Sequence, residues 1–435
     1  MERSLASRST FDERLATREA AIGIIGLGYA GLPLALEFAE AGFPVSGIDV
    51  DDERVQAIRE GRSYLVDVPS ARYDAVDGRL RATTDYAAVA DLDALTICVP
   101  TPLSKSRTPD ISYIVSAAEA VAEHLRAGQL VVLQSTTYPG TTEEIVLPIL
   151  ERSGLEVGVD FFLGYAPERV DPGNEEYSIR STPKLVAGVT PKCLERAELL
   201  YRQIVNPIIP VCSPMVAETA KLHENTFRAV NIALANELAL MCDRLGISVW
   251  EVIDAAATKP FGFLPHYPGP GLGGDCIPVV PHFLSWRLRQ YGYSARLIDA
   301  AHEVNAQMPI YVVQKVADAL NQREMPIKGS RLLLLGMAYK PNIHDIRESP
   351  SLEVMRQLLL RDGDVRYCDP WIPEFDLDGV RHRSVEWSAE AVREADCLVM
   401  LTAHRQFLDQ PHWSDAELIV DTRNVIPPGP AVRTI

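Results

Sequence analysis

A short apolar run, Ala21-Ile22-Gly23-Ile24-Ile25, leads straight into Gly26-Leu27-Gly28-Tyr29-Ala30-Gly31, and an apolar helical pattern follows over residues 34–41 until Gly42 ends it. Strand, glycine loop and helix in that order open a dinucleotide-binding βαβ unit. Gly26, Gly28 and Gly31 allow the tight turn and close pyrophosphate approach, Tyr29 and Ala30 complete the loop, and the helix N-terminus favours phosphate. A second strand, at 45–48, ends in Asp49, 18 residues after Gly31 (49 − 31 = 18). A carboxylate there hydrogen-bonds ribose hydroxyls and repels a 2′-phosphate, so the expected cofactor is NAD rather than NADP. Further apolar runs at 94–99 and 130–133, with helical stretches such as 114–125 between them, extend this into a doubly wound parallel sheet over about 20–210.

Residues 214–246 read differently. No glycine or proline occurs between 215 and 245, and Val216, Ala220, Phe227, Val230, Leu234, Leu238, Met241 and Leu245 recur at helical spacing. One helix of ~30 residues, spanning ~45 Å, is predicted. Helices also suit 249–256 and 295–320, giving a central helical domain over 211–325 whose long helix offers a dimerisation surface. After Pro326 the strand–helix rhythm returns. Arg331-Leu332-Leu333-Leu334-Leu335-Gly336-Met337-Ala338-Tyr339 echoes Ile24-Ile25-Gly26-Leu27-Gly28-Tyr29, with Ala338 where Gly28 stands. Residues 326–435 therefore read as a second Rossmann-like domain whose loop no longer suits a dinucleotide, with later strands at 365–368, 398–402 and 418–421. Residues 1–19 form a charged extension without the apolar core of a signal peptide. The expected fold is α/β: two Rossmann-like doubly wound domains joined by a central helical domain with one long helix.

Charge and cysteine usage narrow the function. Among 435 residues, 42 are Lys or Arg and 59 are Asp or Glu, a formal net charge of −17. That balance argues against nucleic-acid or anionic-membrane partners, and no apolar run reaches the ~20 residues a membrane helix needs. Seven cysteines, widely spaced and without a C-x-x-C pair, point away from a disulfide framework or a metal site and toward a reduced cytoplasm.

Several polar groups sit where open α/β sheets bind ligands, beyond the carboxyl ends of strands. Thr101 follows one strand; Ser135 and Thr136 follow the next. In Ala166-Pro167-Glu168-Arg169-Val170-Asp171-Pro172-Gly173-Asn174, Glu168 is able to orient or deprotonate a water. Lys221 and Asn225, four apart on the long helix, share a face and suit an oxyanion. Cys276 ends the run Pro268-Gly269-Pro270-Gly271-Leu272-Gly273-Gly274-Asp275, backbone that comes close to a ligand. Lys340 and Arg347 are cations able to meet phosphates. Each also has an ordinary reading: a capped turn, a surface ion pair, a solvated face, a core thiol. A hydride acceptor paired with a nucleophilic thiol, however, carries an alcohol past the aldehyde to an acid, because the thiol holds the aldehyde as a thiohemiacetal.

In order, the segments GLGYAGLP (26–33), CVPTPL (98–103), STTYPGTT (135–142), APERVDPGN (166–174), AETAKLHENTFRAVNIALANE (217–237), KPFGFLPHYPGPGLGGDCIP (259–278) and GMAYKPNIHDIRESP (336–350) resemble the nucleotide-sugar 6-dehydrogenases. The likeness covers nearly the whole chain and is strongest to the UDP-N-acetylhexosamine branch. It implies a four-electron oxidation of a sugar C6 alcohol to a carboxylate with two NAD⁺. It further implies Cys276 as nucleophile, Glu168 aiding thioester hydrolysis, Lys221 and Asn225 stabilising oxyanions and Thr136 positioning the reacting water or alcohol. Lys340, Arg169, Tyr267 and Gly271 would contact the nucleotide sugar and Arg347 the NAD side. A homodimer or higher oligomer is implied as well.

Two positions depart from that family's pattern. Val280 stands where an aspartate is usual, four residues after the cysteine, and Asp275 stands where the N-acetylhexosamine branch has histidine. Asp275 or His282 is expected to take over part of the absent carboxylate's role. Three other readings stay open: a UDP-glucose or other nucleotide-glucose 6-dehydrogenase, a weakened paralogue that binds nucleotide sugar, and a two-electron dehydrogenase of the hydroxyacid type.

Overall fold

Runs of Val, Ile and Leu without polar alternation make strands covered on both faces. In the computed structural model, which describes residues 10–65, 68–76, 78–104, 107–169, 176–274 and 276–435, those runs form β1 (Ile22–Ile25), β2 (Val45–Ile48), β3 (Leu80–Thr83), β4 (Ala94–Ile97), β5 (Leu130–Leu133), β6 (Phe162–Tyr165), β7 (Lys184–Gly188) and β8 (Ile208–Pro210). They make one sheet in the order β3-β2-β1-β4-β5-β6-β7-β8, parallel except where β6 meets β7. The order reverses between β1 and β4, whose residues pair in register from Ile22↔Ala94 to Ile25↔Ile97. Ligands of doubly wound sheets bind beyond the strand ends at such a reversal. The core lies on both faces, Ile22, Ile24, Leu36 and Phe38 on one side and Ile25, Ile97, Ile114 and Val131 on the other.

The helix after β1 spans Gly31–Glu40, three residues earlier than its apolar period suggests. Gly31 and Leu32 are helical, and Pro33 is tolerated because the first helical turn has no N–H partners to lose. The long helix spans Pro214–Leu245, 32 residues, as its spacing predicts.

The described chain forms two compact units. One is the chain up to Glu224 with His282–Gly292; the other is Asn225–Pro281 with Tyr293–Ile435. The predicted helical segment 211–325 is thus shared between them. In the second unit Ala235, Ala239, Cys242, Trp250 and Met308 form a helical core. Val312, Val313, Val316 and Leu320, later on helix Arg296–Asn321, instead join the core beneath a second sheet.

That sheet contains β9 (Arg331–Leu335), β10 (Asp364–Cys368), β13 (Cys397–Met400), β14 (Ile419–Asp421) and β15 (Val432–Thr434), all parallel in the order β10-β9-β13-β14-β15; β11 (Glu374–Leu377) and β12 (Val380–Arg383) form a separate hairpin. The sequence echo is also an echo of structure. Gly26 and Gly336 have φ of +87° and +88°. A Cβ on Gly26 would lie 2.7 Å from the Cys98 carbonyl oxygen, and one on Gly336 would lie 2.4 Å from that of Thr402. Asp49 accepts from Leu27 N–H (2.6 Å), and Asp369, the residue after β10, accepts from Met337 N–H (2.6 Å) and Ala338 N–H (2.9 Å). The second loop goes no further: Pro341 replaces Gly31, and the next helix begins only at Pro350.

Asp369 is closed off by His404. Asn342 N–H donates to His404 Nδ1 (3.0 Å), so Nε2 carries the proton and donates to Asp369 (3.1 Å), both side chains being fully buried. Burial pushes the Asp369 carboxyl up, but His404 and the loop amides outweigh it and hold it below the usual aspartate range. A lowered folded value stabilises fully above the unfolded aspartate value of about 4, and that contribution is lost as pH falls through the folded value. Asp369→Asn is expected to cost about 2–4 kcal/mol at pH 7, with the deficit shrinking below about pH 4. Urea unfolding at pH 7 and pH 3 checks this; equal deficits at both would contradict it.

Candidate active site

In the first unit, the loop after β1 is shaped by what its glycines exclude. A Cβ on Gly31 would lie 1.8 Å from the Gly26 carbonyl oxygen, so helix and strand meet there only through glycine; a Cβ on Gly28 would meet nothing within 4 Å. The open space lies at Gly28, where a pyrophosphate needs it. The helix beginning at Gly31 has no side-chain cap on its first N–H groups, which leaves them for an anion. Ala30 stands at its N-cap and Tyr29 is exposed. Asp49 is buried, with Asp51 N–H on its other oxygen (3.0 Å) and the Arg54 guanidinium 3.4 Å away.

The loops after β4 and β5 are tied together. The Thr101 hydroxyl donates to the Thr136 carbonyl (2.6 Å) and the Ser135 hydroxyl to the Val99 carbonyl (2.7 Å). Both hydroxyl protons are therefore committed to backbone, leaving oxygen lone pairs for a ligand. From Gln129 to Thr142 every residue is buried except Thr136. The loop's far end is clamped by Glu218 of the long helix. This carboxylate accepts from Gly140 N–H (2.6 Å), Thr142 N–H (2.9 Å) and the Thr142 hydroxyl (2.6 Å). Burial pushes its pKa up.

Glu168, just beyond β6, accepts from Gln134 Nε2 (2.7 Å) and lies 3.6 Å from Lys184 Nζ. Lys221 is buried and close enough to Lys184 to oppose its charge. Arg169 is held by Glu224 (2.7 Å) and the Pro183 carbonyl (2.6 Å). Residues 170–175 of the same motif, with Asp171 and Asn174, lie outside the described residues, as does Asp275. His282 is buried.

The second unit builds the other group. Cys276 is exposed, and its carbonyl accepts from Val280 N–H (2.9 Å) at the start of helix Val280–Arg289. The glycines before it lie against the loop after β9. A Cβ on Gly273 would lie 2.4 Å from Tyr339 Cβ and one on Gly274 2.9 Å from the Tyr339 ring, while Gly274 N–H donates to the Arg347 carbonyl (2.9 Å). Gly271, at φ +135°, faces Pro350 and the Asn305 carbonyl. A buried amide chain secures this run: Gly269 N–H donates to Asn236 Oδ1 (3.0 Å) and Asn236 Nδ2 to Asn305 Oδ1 (2.9 Å). Tyr267 stacks on Trp250 at 5.7 Å and donates to Asp254 (2.8 Å). Lys340 is half-buried; the Arg347 guanidinium pairs with Asp345 (2.6 Å). Asn225 is 6% exposed, and its Nδ2 is buried with no hydrogen-bond partner among the described residues.

Three family models match consecutive stretches of the chain: the NAD binding domain of the UDP-glucose/GDP-mannose dehydrogenase family over residues 20–205, its central domain over 215–307 and its UDP binding domain over 333–428. The chain belongs to the UDP-glucose/GDP-mannose dehydrogenase family. A UDP-N-acetyl-D-glucosamine 6-dehydrogenase of Pseudomonas aeruginosa is 37% identical over 82% of this chain and 85% of its own length. A UDP-N-acetyl-D-mannosamine dehydrogenase of Yersinia pestis is 37% identical over 93% and 98%. The solved UDP-D-ManNAc dehydrogenase of Pyrococcus horikoshii has a TM-score of 0.88 and 35% identity, covering 95% of this chain and 99% of its own.

This dehydrogenase is an NAD-dependent oxidoreductase, and the open space at Gly28, the uncapped helix and Asp49 fit NAD. Among the described residues no cluster holds a metal and no helix is long and apolar enough to cross a membrane. Sequence reasoning missed several groups. Lys184 heads a buried strand, a rare place for a lysine and the one signal available. Arg423 follows β14 and Thr422, half-buried with its Nε donating to the Leu401 carbonyl (2.6 Å) and its guanidinium against Gly269. Burial pushes its pKa down to about 10, still charged at neutral pH, and among the described residues it makes no ion pair. A cation following a strand end was its signal. Glu218, Asn236 and Asn305 gave none, because their partners are distant in sequence.

Gly273→Ala forces Tyr339 to move. It is expected to destabilise the second unit by about 1–3 kcal/mol and to weaken UDP binding roughly tenfold, with NAD affinity unchanged. Titration calorimetry with each ligand checks this.

Proposed function

We propose that the enzyme oxidises the C6 alcohol of a UDP-N-acetylhexosamine to the carboxylate in four electrons, through Cys276. The observation that carries the reading is in the second unit: Asn225 keeps a buried amide donor without a partner among the described residues in the unit that also presents an exposed thiol on a glycine run. A buried donor left unpaired costs about 1–3 kcal/mol, a cost that a developing oxyanion removes. The relatives named for UDP-N-acetylglucosamine and UDP-N-acetylmannosamine supply the substrate class.

NAD, when bound, supplies the two-electron acceptor for each of two oxidations. Thr136 orients the C6 hydroxyl. Cys276 Sγ adds to the aldehyde carbon, with the positive end of helix Val280–Arg289 favouring negative charge at that position. Lys221 and Asn225 stabilise the oxygen of the thiohemiacetal. The second oxidation leaves a thioester, which water, deprotonated by Glu168, hydrolyses. Lys340, Arg169, Tyr267, Gly271 and Arg423 bind the nucleotide sugar, and Arg347 serves the NAD side. The division proposed is 20–210 for NAD, 211–325 for the helical and dimerisation region and 326–435 for nucleotide sugar, after an extension at 1–19. The seven cysteines are widely spaced, without a C-x-x-C pair, a pattern that supports a cytoplasmic setting. Val280 is 3% exposed, a core position, and the retained Cys276, Lys221, Asn225 and Glu168 favour chemistry over binding alone.

Two NADH per sugar consumed are expected with UDP-N-acetylglucosamine or UDP-N-acetylmannosamine, in a panel with UDP-N-acetylgalactosamine, UDP-glucose and dTDP-glucose. Cys276→Ser should remove turnover by roughly three orders of magnitude or more, and Asn225→Ala by roughly 10²–10³. One NADH per sugar, or full activity in Cys276→Ser, would sink the proposal.

Phe227, Leu234, Met241 and Leu245 are exposed along the long helix at intervals of 7, 7 and 4, one continuous stripe. This supports a homodimer. Leu234→Glu with Met241→Glu is expected to halve the mass seen by light scattering; an unchanged mass would place the interface elsewhere.

A further inference from the structure

We propose that Lys184 is a positioning residue for the hydrolytic step, holding the Glu168 carboxylate ionised and fixed in orientation for the base role proposed above. The inference rests on the function proposed above and adds to it a residue that none of the sequence motifs contains.

Lys184 opens β7 and is 4% exposed. Its ammonium lies 3.1 Å from Gln134 Oε1 and 3.6 Å from Glu168 Oε2. Gln134 bridges the two, because its Nε2 donates to the same Glu168 oxygen (2.7 Å), while Tyr201 donates to Gln134 Oε1 (3.1 Å) and sets its ring 5.2 Å from the ammonium. The other Glu168 oxygen accepts from Arg169 N–H (2.8 Å). One carboxylate oxygen is thus fixed by an ammonium and an amide reaching from two strands, and the other by backbone.

The surroundings explain why a buried lysine is kept. Glu168 is the one carboxylate in ion-pair range of Lys184 among the described residues. The groups facing the pair are the Cys98 thiol beyond β4, the Tyr201 phenol, and Lys221 on the long helix. Burial pushes Cys98 and Tyr201 far up, so both are neutral. Burial pulls Lys184 down, and Glu168 opposes that. The Lys184 ammonium, 3.6 Å from the carboxylate, favours its ionised form, which a base requires. In the step itself the water oxygen adds to the thioester carbon, Glu168 takes the proton, the C–S bond breaks, and Cys276 Sγ leaves with the bonding pair.

The test compares Lys184→Met, Lys184→Arg and Glu168→Gln in the whole enzyme, with the sugar nucleotide it turns over. NADH is followed by rapid mixing, and protein mass is read after acid quench. In Lys184→Met two NADH per active site are expected in a burst, followed by a stall with the acyl group on Cys276. At pH 7 kcat should fall roughly tenfold or more, with its acid limb moved to higher pH and both KM values unchanged. Lys184→Arg should restore most of the rate. A loss equal at all pH values, without adduct, would overturn the assignment. If Glu168→Gln accumulates adduct and Lys184→Met does not, Lys184 alone is rejected; if Glu168→Gln does not accumulate it, the hydrolytic reading of Glu168 falls and this inference with it. Gln134→Met keeps the ammonium and removes the bridge, so it reads the same network should Lys184→Met fail to fold. It should accumulate adduct more weakly, and none at all counts against the inference.

Discussion

The first glycine after the first strand of each sheet is in contact with the backbone of the neighbouring strand's end. Gly26 meets the Cys98 carbonyl and Gly336 that of Thr402, in each case closer than a Cβ allows. This contact brings the loop down onto the point where strand order reverses, and the carboxylate after the second strand then closes it from the other side. In the first unit the bond is one loop amide to Asp49, and the space at Gly28 stays open. In the second, Asp369 takes two loop amides and the His404 ring. The same scaffold therefore carries a cradle in one copy and a sealed loop in the other, and the ligand groups we propose for the second unit come from the glycine run before Cys276 and from the ends of β9 and β14.

The long helix makes a second inversion. Glu218, Lys221, Asn225 and Asn236 fall on one face at intervals of 3, 4 and 11, and all four are buried. The apolar residues Phe227, Leu234 and Met241 are exposed. A helix serving only its own core would have these faces reversed. Its polar face instead clamps the loop carrying Thr136, brings Lys221 near Lys184, retains the Asn225 amide and secures Gly269. One element thus supplies a loop anchor, a buried cation, a buried amide donor and a backbone clamp. A register slip of one residue would displace all four.

Much of this was legible in the sequence, for a physical reason. Glycine loops, uninterrupted apolar strands and a glycine-free helix of 32 residues are local patterns, and their period or sterics leaves few other structures. Elements such as β2 and β5 fall where expected, and the internal echo around Gly336 is a true structural repeat. The i, i+4 pair Lys221 and Asn225 was legible because helical geometry alone puts them on one face. What stayed hidden depends on contacts across distance. Gly140 meets Glu218 78 residues on, and Asn236 meets Asn305 69 residues on. Spacing gave no reason to expect the Thr101 and Ser135 hydroxyls to be tied to neighbouring carbonyls, nor helix Arg296–Asn321 to serve two cores.

Charge shows the same division. A net −17 says that anionic ligands need local cations, but composition cannot say which of 42 basic residues are kept from surface pairing. Most arginines placed here are held by carboxylates, Arg169 by Glu224 and Arg347 by Asp345 among them. Arg423 is different. The nearby Asp421 carboxylate accepts from the N–H groups of Arg423, Val425 and Ile426, so it is turned to the backbone, and among the described residues the guanidinium has no salt bridge. A half-buried cation kept charged beside Gly269 is costly to the empty fold. A phosphate-bearing ligand would offset that cost, which is the physical reason for the nucleotide-binding role we propose for Arg423 in an acidic protein.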